Sequence, residues 1–224
     1  MQHIAIYDMD KTITRSATWT PFLRHAAGHR APWRLAMLPL LGGAGVAYLA
    51  GLLGRGPLKQ LAFRLMLGPM VPAAAMADLA QSFAEQIGAN GVWAQARAQI
   101  ARDRADGCRL ILATASFRFY VAPIAALLGF DAVIATNSQR GPDGALCAGI
   151  AGENCYGPAK LRMIETWLAD QGIARGQATI SFYSDHVSDA PTLAWADRPF
   201  AVNPHAPLRR LAGTMGWPVL HWTT

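Results

Sequence analysis

Apolar positions along the chain gather into short β-favouring runs, separated by longer stretches with the spacing of amphipathic helices. Residues 4–7 (Ile4-Ala5-Ile6-Tyr7), 108–113 and 179–184 are strand-length runs rich in branched and aromatic side chains. Shorter runs at 132–135, 199–202 and 218–221 predict further strands, and 138–150 reads as a hairpin turning at Gly141-Pro142-Asp143-Gly144. Helical outlines fall at 19–27, 33–53, 58–67, 73–87, 92–105, 156–170 and 205–215, the second broken at Pro39 and at Gly42-Gly43. Strands alternating with helices predict an α/β chain.

Three of the strand-like runs end in polar groups suited to chemistry. The first ends in Asp8-Met9-Asp10-Lys11-Thr12, the second in Thr114-Ala115-Ser116, and the third in Asp185, with Asp189 four residues on. Between the last two lies Asn154-Cys155-Tyr156-Gly157-Pro158-Ala159-Lys160, a turn opening a helix with a lysine near its start. In open α/β sheets, ligands bind at the carboxyl ends of the strands. Two neighbouring acids repel unless a cation or proton sits between them, and Mg²⁺ suits one or two carboxylates plus a phosphate oxygen. Taken alone, the Asp8/Asp10 doublet fits a solvated strand-end turn equally well. Lys160 alone reads as a solvated lysine, and Thr114, Ser116 or Asp189 as a helix cap.

Together these segments change the weighing. Strand-Asp-x-Asp-x-Thr, strand-Thr, helix-Lys and strand-Asp-x-x-x-Asp, in that order, resemble the four motifs of the haloacid dehalogenase-like (HAD) superfamily. The wording Asp-Met-Asp-Lys-Thr-Ile-Thr, Gly-Glu-Asn-Cys-Tyr-Gly and Tyr-Ser-Asp-His-Val-Ser-Asp is similar to its subfamily IB, the branch that includes phosphoserine phosphatases. The resemblance implies a Rossmann-like parallel-sheet core from residues 1–14 and 106–224, with an α-helical cap inserted at 15–105. It also implies a Mg²⁺-dependent phosphatase working through an aspartyl-phosphate. Asp8 would be the nucleophile and Asp10 the acid/base. Thr114 would hold a phosphoryl oxygen, helped by N–H groups at the following helix start, and Lys160 would neutralise charge. Asp8, Asp10, Asp185 and Asp189 are the expected metal set. Thr12, Arg15, Ala115, Ser116 and Ser188 are the expected substrate contacts. Asp10-Lys11-Thr12-Ile13-Thr14 also looks like the phosphorylated motif of P-type ion pumps, with Asp10 as nucleophile. The strand ends at Tyr7, which favours Asp8, and 224 residues leave no room for a pump's membrane domain.

Charge refines the substrate. The net charge of +6 is concentrated between Lys11 and Ala77, where eight cations and no Asp or Glu occur. Such a cap draws anionic substrates or rests on an anionic surface. Phosphoserine phosphatases carry a glutamate shortly after the first motif, and 14–19 here holds none, so Arg15 favours added negative charge instead. The expected substrate is a small anionic phosphomonoester. The variants are a phospholipid headgroup such as phosphatidylglycerophosphate, phosphoserine itself, and transfer to an alcohol acceptor. A non-catalytic phosphate-binding module conflicts with the full set of key groups.

Residues 35–54 are uncharged over 20 positions, near the length of a membrane span. A single crossing would separate Asp8 from Thr114, Lys160 and Asp185. A buried cap hairpin or a homodimer contact is expected, with shallow membrane contact the variant, since Trp33, Arg34 and Arg55 suit an interface. His25 and His29 share a helical face without a third ligand, and Cys108, Cys147 and Cys155 form no CxxC pair. With the catalytic strand starting almost at Met1, a cytoplasmic protein, peripheral to the membrane at most, is expected. Nothing beyond the positive charge suggests nucleic acid.

Overall fold

The computed structural model describes residues 1–223. From the amino end run β1 (Gln2–Tyr7), a π-type turn (Met9–Ile13), α1 (Trp19–Arg30), a 3₁₀ turn (Pro32–Met37), α2 (Leu38–Leu49), α3 (Arg55–Leu67), β2 (Met70–Val71), α4 (Ala73–Asn90) and α5 (Ala94–Ala105). They are followed by β3 (Arg109–Phe117), α6 (Arg118–Leu127), β4 (Ala132–Arg140), β5 (Leu146–Ala151), α7 (Pro158–Asp170), β6 (Ala178–Ser184), α8 (Ala190–Trp195), β7 (Arg198–Val202), α9 (Ala206–Met215) and β8 (Val219–Leu220).

The strands form one sheet in the order β2-β5-β4-β3-β1-β6-β7-β8. From β4 through β8 neighbouring strands are parallel, while β5 and β2 add antiparallel at one edge. Parallel sheets need both faces covered, which explains the near-continuous apolar runs of β1, β3 and β6. On one face Ile4, Ile6, Ile111 and Phe182 pack with Ile164 and Leu168 of α7 and Leu208 of α9. On the other, Ala5, Tyr7 and Leu112 join a cluster that continues through Tyr120 into Phe22, Phe63 and Phe83 of the inserted helices. The insertion between β1 and β3 is therefore stitched to the sheet by apolar packing and by the β2–β5 pairing.

Two expectations for the insertion change. The 33–53 segment breaks beside Pro39, where a 3₁₀ turn gives way to α2, but α2 runs unbroken through Gly42-Gly43 and ends at Leu49. Pro39 falls in the first turn, where its missing N–H has no intrahelical partner to lose. Nor is this segment a buried hairpin, because none of the twelve residues of α2 is buried.

Candidate active site

β1 lies between β3 and β6, so their carboxyl ends deliver Asp8, Thr114 and Asp185 to one edge of the sheet. The Asp8 N–H donates to the Tyr183 carbonyl (2.9 Å), extending the ladder one residue beyond β1. The chain then turns sharply through Met9–Ile13, with Lys11 in the left-handed region at φ 64°. This turn carries Thr12 back beneath the strand ends. The Thr12 hydroxyl lies 3.2 Å from Asp8 Oδ2 and 3.3 Å from Asp185 Oδ1, and accepts the Asp185 N–H at 3.0 Å. Thr12 is fully buried, so it ties the two acids together rather than meeting substrate.

Lys160 reaches the same point from the first turn of α7. Gly157 opens that helix at φ 59°, where a side chain would be strained, and Pro158 follows in the first turn. Lys160 Nζ donates to Asp8 Oδ1 (2.8 Å) and Asp189 Oδ2 (2.6 Å). Asp189 Oδ2 also accepts from the Ser184 hydroxyl (2.7 Å), while Asp189 Oδ1 is buried without a partner. Asp189 stands at the start of α8 yet makes no capping bond with its side chain.

Asp8, Asp185, Asp189 and Lys160 are all buried. With the aspartates ionised, three negative charges face one positive charge. Burial pushes Asp8 up to about 6 against the pull of Lys160, with Asp189 adding to the rise. Burial, reinforced by Asp8 and Asp189, pushes Asp185 up to about 7. Burial works against the Lys160 ammonium, but Asp189 and Asp8 outweigh it and hold the lysine charged above the ordinary lysine range. A floor left two charges negative, with an orphaned carboxylate oxygen, fits a divalent cation. Among the described residues no three His, Cys, Asp or Glu side chains form a ready-made metal cage.

This floor lines a cavity of about 210 Å³, with Asp10, Lys11, Thr114, Ala115, Arg55 and Ser188 in its walls. Asp10 Oδ1 accepts from the Thr18 N–H (2.8 Å) and hydroxyl (2.7 Å), and Oδ2 from the Ser116 hydroxyl (2.9 Å). Strand β3 does not stop at Ala113. It runs to Phe117 over an irregularity, because Thr114 pairs with Ala135 and Phe117 with the very next residue, Thr136. Ala115 and Ser116 are thus lifted out of the ladder, and α6 starts only at Arg118. The bulge, not a helix start, frees backbone beside Thr114. Thr114 Oγ1 accepts the Ser116 N–H (3.2 Å), leaving its own proton for a ligand. The Ser188 hydroxyl pairs with His186 Nδ1 (2.8 Å).

Arg15 stands elsewhere. Its guanidinium lies over the Trp93 ring, 5.8 Å from the centroid, and it lines neither this cavity nor its neighbour. The neighbour, about 310 Å³, shares Asp10, Ala17, Arg55 and Ala115 with the first. Trp19, Leu41, Tyr48 and Leu58 give it apolar walls, and Lys59 lines it as well. Lys59 Nζ donates to the Ala115 carbonyl (2.5 Å) and Asn154 Oδ1 (3.0 Å), and lies 4.4 Å from the Phe117 ring centroid. Burial pulls its ammonium down to about 7, and Arg55 adds to the shift. In the sequence Lys59 is one cap cation among eight. The available signal is its phase: 59, 62, 63, 66 and 67 form the buried stripe of α3, and a lysine on an apolar stripe is anomalous.

The haloacid dehalogenase-like hydrolase family model matches residues 5–194. The chain belongs to this family. A histidinol-phosphatase from Neisseria meningitidis is 31% identical over 117 residues, covering 52% of this chain and 53% of that protein. A protein of unknown function from Bordetella pertussis superposes with a TM-score of 0.89 at 26% identity, over 98% of both chains. A substrate-bound phosphoserine phosphatase superposes at 0.64 and 15% identity, over 98% of this chain and 93% of that one, and shares the fold. This family member spans about half the length of the curated relative named first.

Proposed function

We propose that this HAD-family hydrolase is a Mg²⁺-dependent phosphatase acting on a small anionic phosphomonoester through an aspartyl-phosphate at Asp8. The observation that carries the reading is the buried Asp8–Lys160–Asp189–Asp185 cluster, with its uncompensated negative charge, on the floor of the polar cavity. Asp8, Asp185 and the Asp10 carbonyl would hold the ion, with Asp189 close behind. When bound, Mg²⁺ offsets the carboxylate charge and polarises the phosphoryl group.

The chain's own groups account for the rest. Ionised Asp8 attacks phosphorus while the ester P–O bond breaks, and protonated Asp10 gives its proton to the departing alkoxide. Asp10, now a carboxylate, takes a proton from water. The water oxygen bonds to phosphorus, the Asp8–phosphorus bond breaks, and inorganic phosphate leaves. The Thr114 hydroxyl and the bulged backbone hold phosphoryl oxygens, and Lys160 balances the charge that develops on Asp8. The leaving group enters the apolar-walled cavity, where Lys59 and Arg55 meet a second anion. The only carboxylate there is that of Asp10, so a substrate ammonium has no other acidic partner.

A phosphate-release panel with Mg²⁺ tests the reading, setting carboxylate-bearing phosphomonoesters against phosphoserine and histidinol phosphate. The anionic esters should lead. Phosphoserine or histidinol phosphate as best substrate overturns the substrate class, and no release from any ester by folded protein overturns the phosphatase reading.

A further inference from the structure

Helix α2 carries apolar side chains on all sides, a composition normally found only in buried helices, yet none of its residues is buried. Its inner positions Leu41, Gly45 and Tyr48, at helical spacing, line the apolar cavity. Its outer positions point away: Leu40 is 60% exposed, Val46 66% and Leu49 83%, with Leu52 at 83% and Trp33 at 65% alongside in the chain. These are five of the eleven large apolar side chains exposed among the described residues, and the others are scattered along the sequence. A concentration of this kind marks a surface that something covers.

We propose that this outer face docks the inserted helices onto an anionic lipid bilayer, with α2 lying flat in the interface. Charge selects the occupant. Of the cations between Lys11 and Ala77, Arg15, Arg24, Arg30 and Arg64 are exposed and line neither cavity; the segment holds no carboxylate, and none of the four ion pairs among the described residues involves a cation from it. Arg24 and Arg30 are exposed on α1, the neighbouring helix in sequence. Trp33 sits at the amino end of the patch with the Arg34 guanidinium 4.6 Å from its ring centroid, the pairing of aromatic and cation found at bilayer interfaces. A second copy fits less well, because a two-fold contact sets the exposed cations of the insertion, with no carboxylate among them, against themselves. An anionic leaflet complements both the apolar face and its basic surround.

Geometry fixes the mode. No helix among the described residues is long and apolar enough to cross a membrane. Twelve residues span only about 18 Å against a hydrocarbon thickness of about 30 Å. An ordinary interfacial helix turns a charged face to water, whereas α2 turns its inner face to the protein's own cavity, so it needs no polar side. Docking is independent of the phosphatase reading, since it uses none of the groups proposed for chemistry.

Co-sedimentation with vesicles of phosphatidylcholine, alone or mixed with phosphatidylglycerol, tests this. The protein should pellet with the mixed vesicles, less so as salt rises. The double variant Leu49→Asp/Leu52→Asp should lose about tenfold or more of that partitioning, while keeping its thermal melt and its rate on a soluble aryl phosphate. Arg24→Glu/Arg30→Glu, which leaves α2 intact, should also weaken binding, so the test survives if the first variant misfolds. Asp8→Asn should bind like the wild type. The proposal is overturned if the wild type stays in the supernatant with mixed vesicles, or pellets equally with phosphatidylcholine alone. It is also overturned if sedimentation equilibrium finds a dimer broken by the leucine variant with no vesicle binding.

Discussion

The two connected cavities solve opposite problems. In the polar one, four charged side chains are buried and linked to one another through Lys160 and Thr12. In the apolar one, Trp19, Leu41, Tyr48 and Leu58 supply shape, and Lys59 is the sole buried cation. Buried charges cost so much desolvation that their positions must be specified by several contacts at once. Apolar walls tolerate substitution, because packing alone governs their cost. The polar cavity should therefore respond to single atoms and the apolar one to volume and net charge.

Asp8→Asn should give the largest effect. It removes the proposed nucleophile while preserving shape, and phosphate release should fall on the order of 10⁴-fold or more with the fold retained by circular dichroism. Turnover within tenfold of wild type would move the nucleophile elsewhere, with Asp10 the first alternative.

Lys160→Met should come next and strike both activity and stability. It strands Asp8 and Asp189 without their cation, a loss of about 3–5 kcal/mol by analogy with broken buried pairs. Denaturant titration reads this directly, and an unchanged midpoint would mean the cluster is wetter than its geometry indicates.

Lys59→Met tests the other cavity. It keeps length and packing against Phe117 but removes the charge, so KM for a carboxylate-bearing ester should rise about 10- to 100-fold with a smaller change in kcat. A neutral alkyl phosphate should respond little. Equal loss on both substrates would assign Lys59 to holding the Ala115 bulge instead.

The smallest effect concerns pH. Asp8 and Asp185 sit above their unfolded values, near 6 and 7. The folded, metal-free chain thus binds more protons than the unfolded one across that window, and its stability falls as pH rises through it. Held as proposed, Mg²⁺ would favour the ionised pair and offset that loss. Added Mg²⁺ should raise the melting temperature little near about pH 5 and by several degrees near about pH 8. A pH-independent shift would separate the ion from these carboxylates.

Much of this comparison was legible in the chain. Asp8, Asp10, Thr114 and Asp185 announce themselves because each follows an apolar run of a parallel strand, and topology gathers those positions at one edge. Lys160 is legible only through its place in the order of the motifs, since it follows a turn into α7. The roles of Thr12 and Arg15 were not legible. Both sit beside the first motif, but the turn at Lys11 sends Thr12 inward to bind two acids, while Arg15 is carried off to Trp93. The path of Thr114-Ala115-Ser116 was hidden too, since a bulge depends on pairing with β4, which local propensity does not encode.

The succession of strands and helices along the chain, the chemistry of the strand ends and the one-sided charge of the insertion were all determined by the linear pattern, because each depends on residues near in sequence. Tertiary structure alone decided that Lys59 turns into a cavity, that α2 stays uncovered, and that Asp189 pairs with Lys160 rather than capping its helix. Those outcomes depend on which surfaces meet across tens to more than a hundred residues, and on how burial reprices a charge once water is gone.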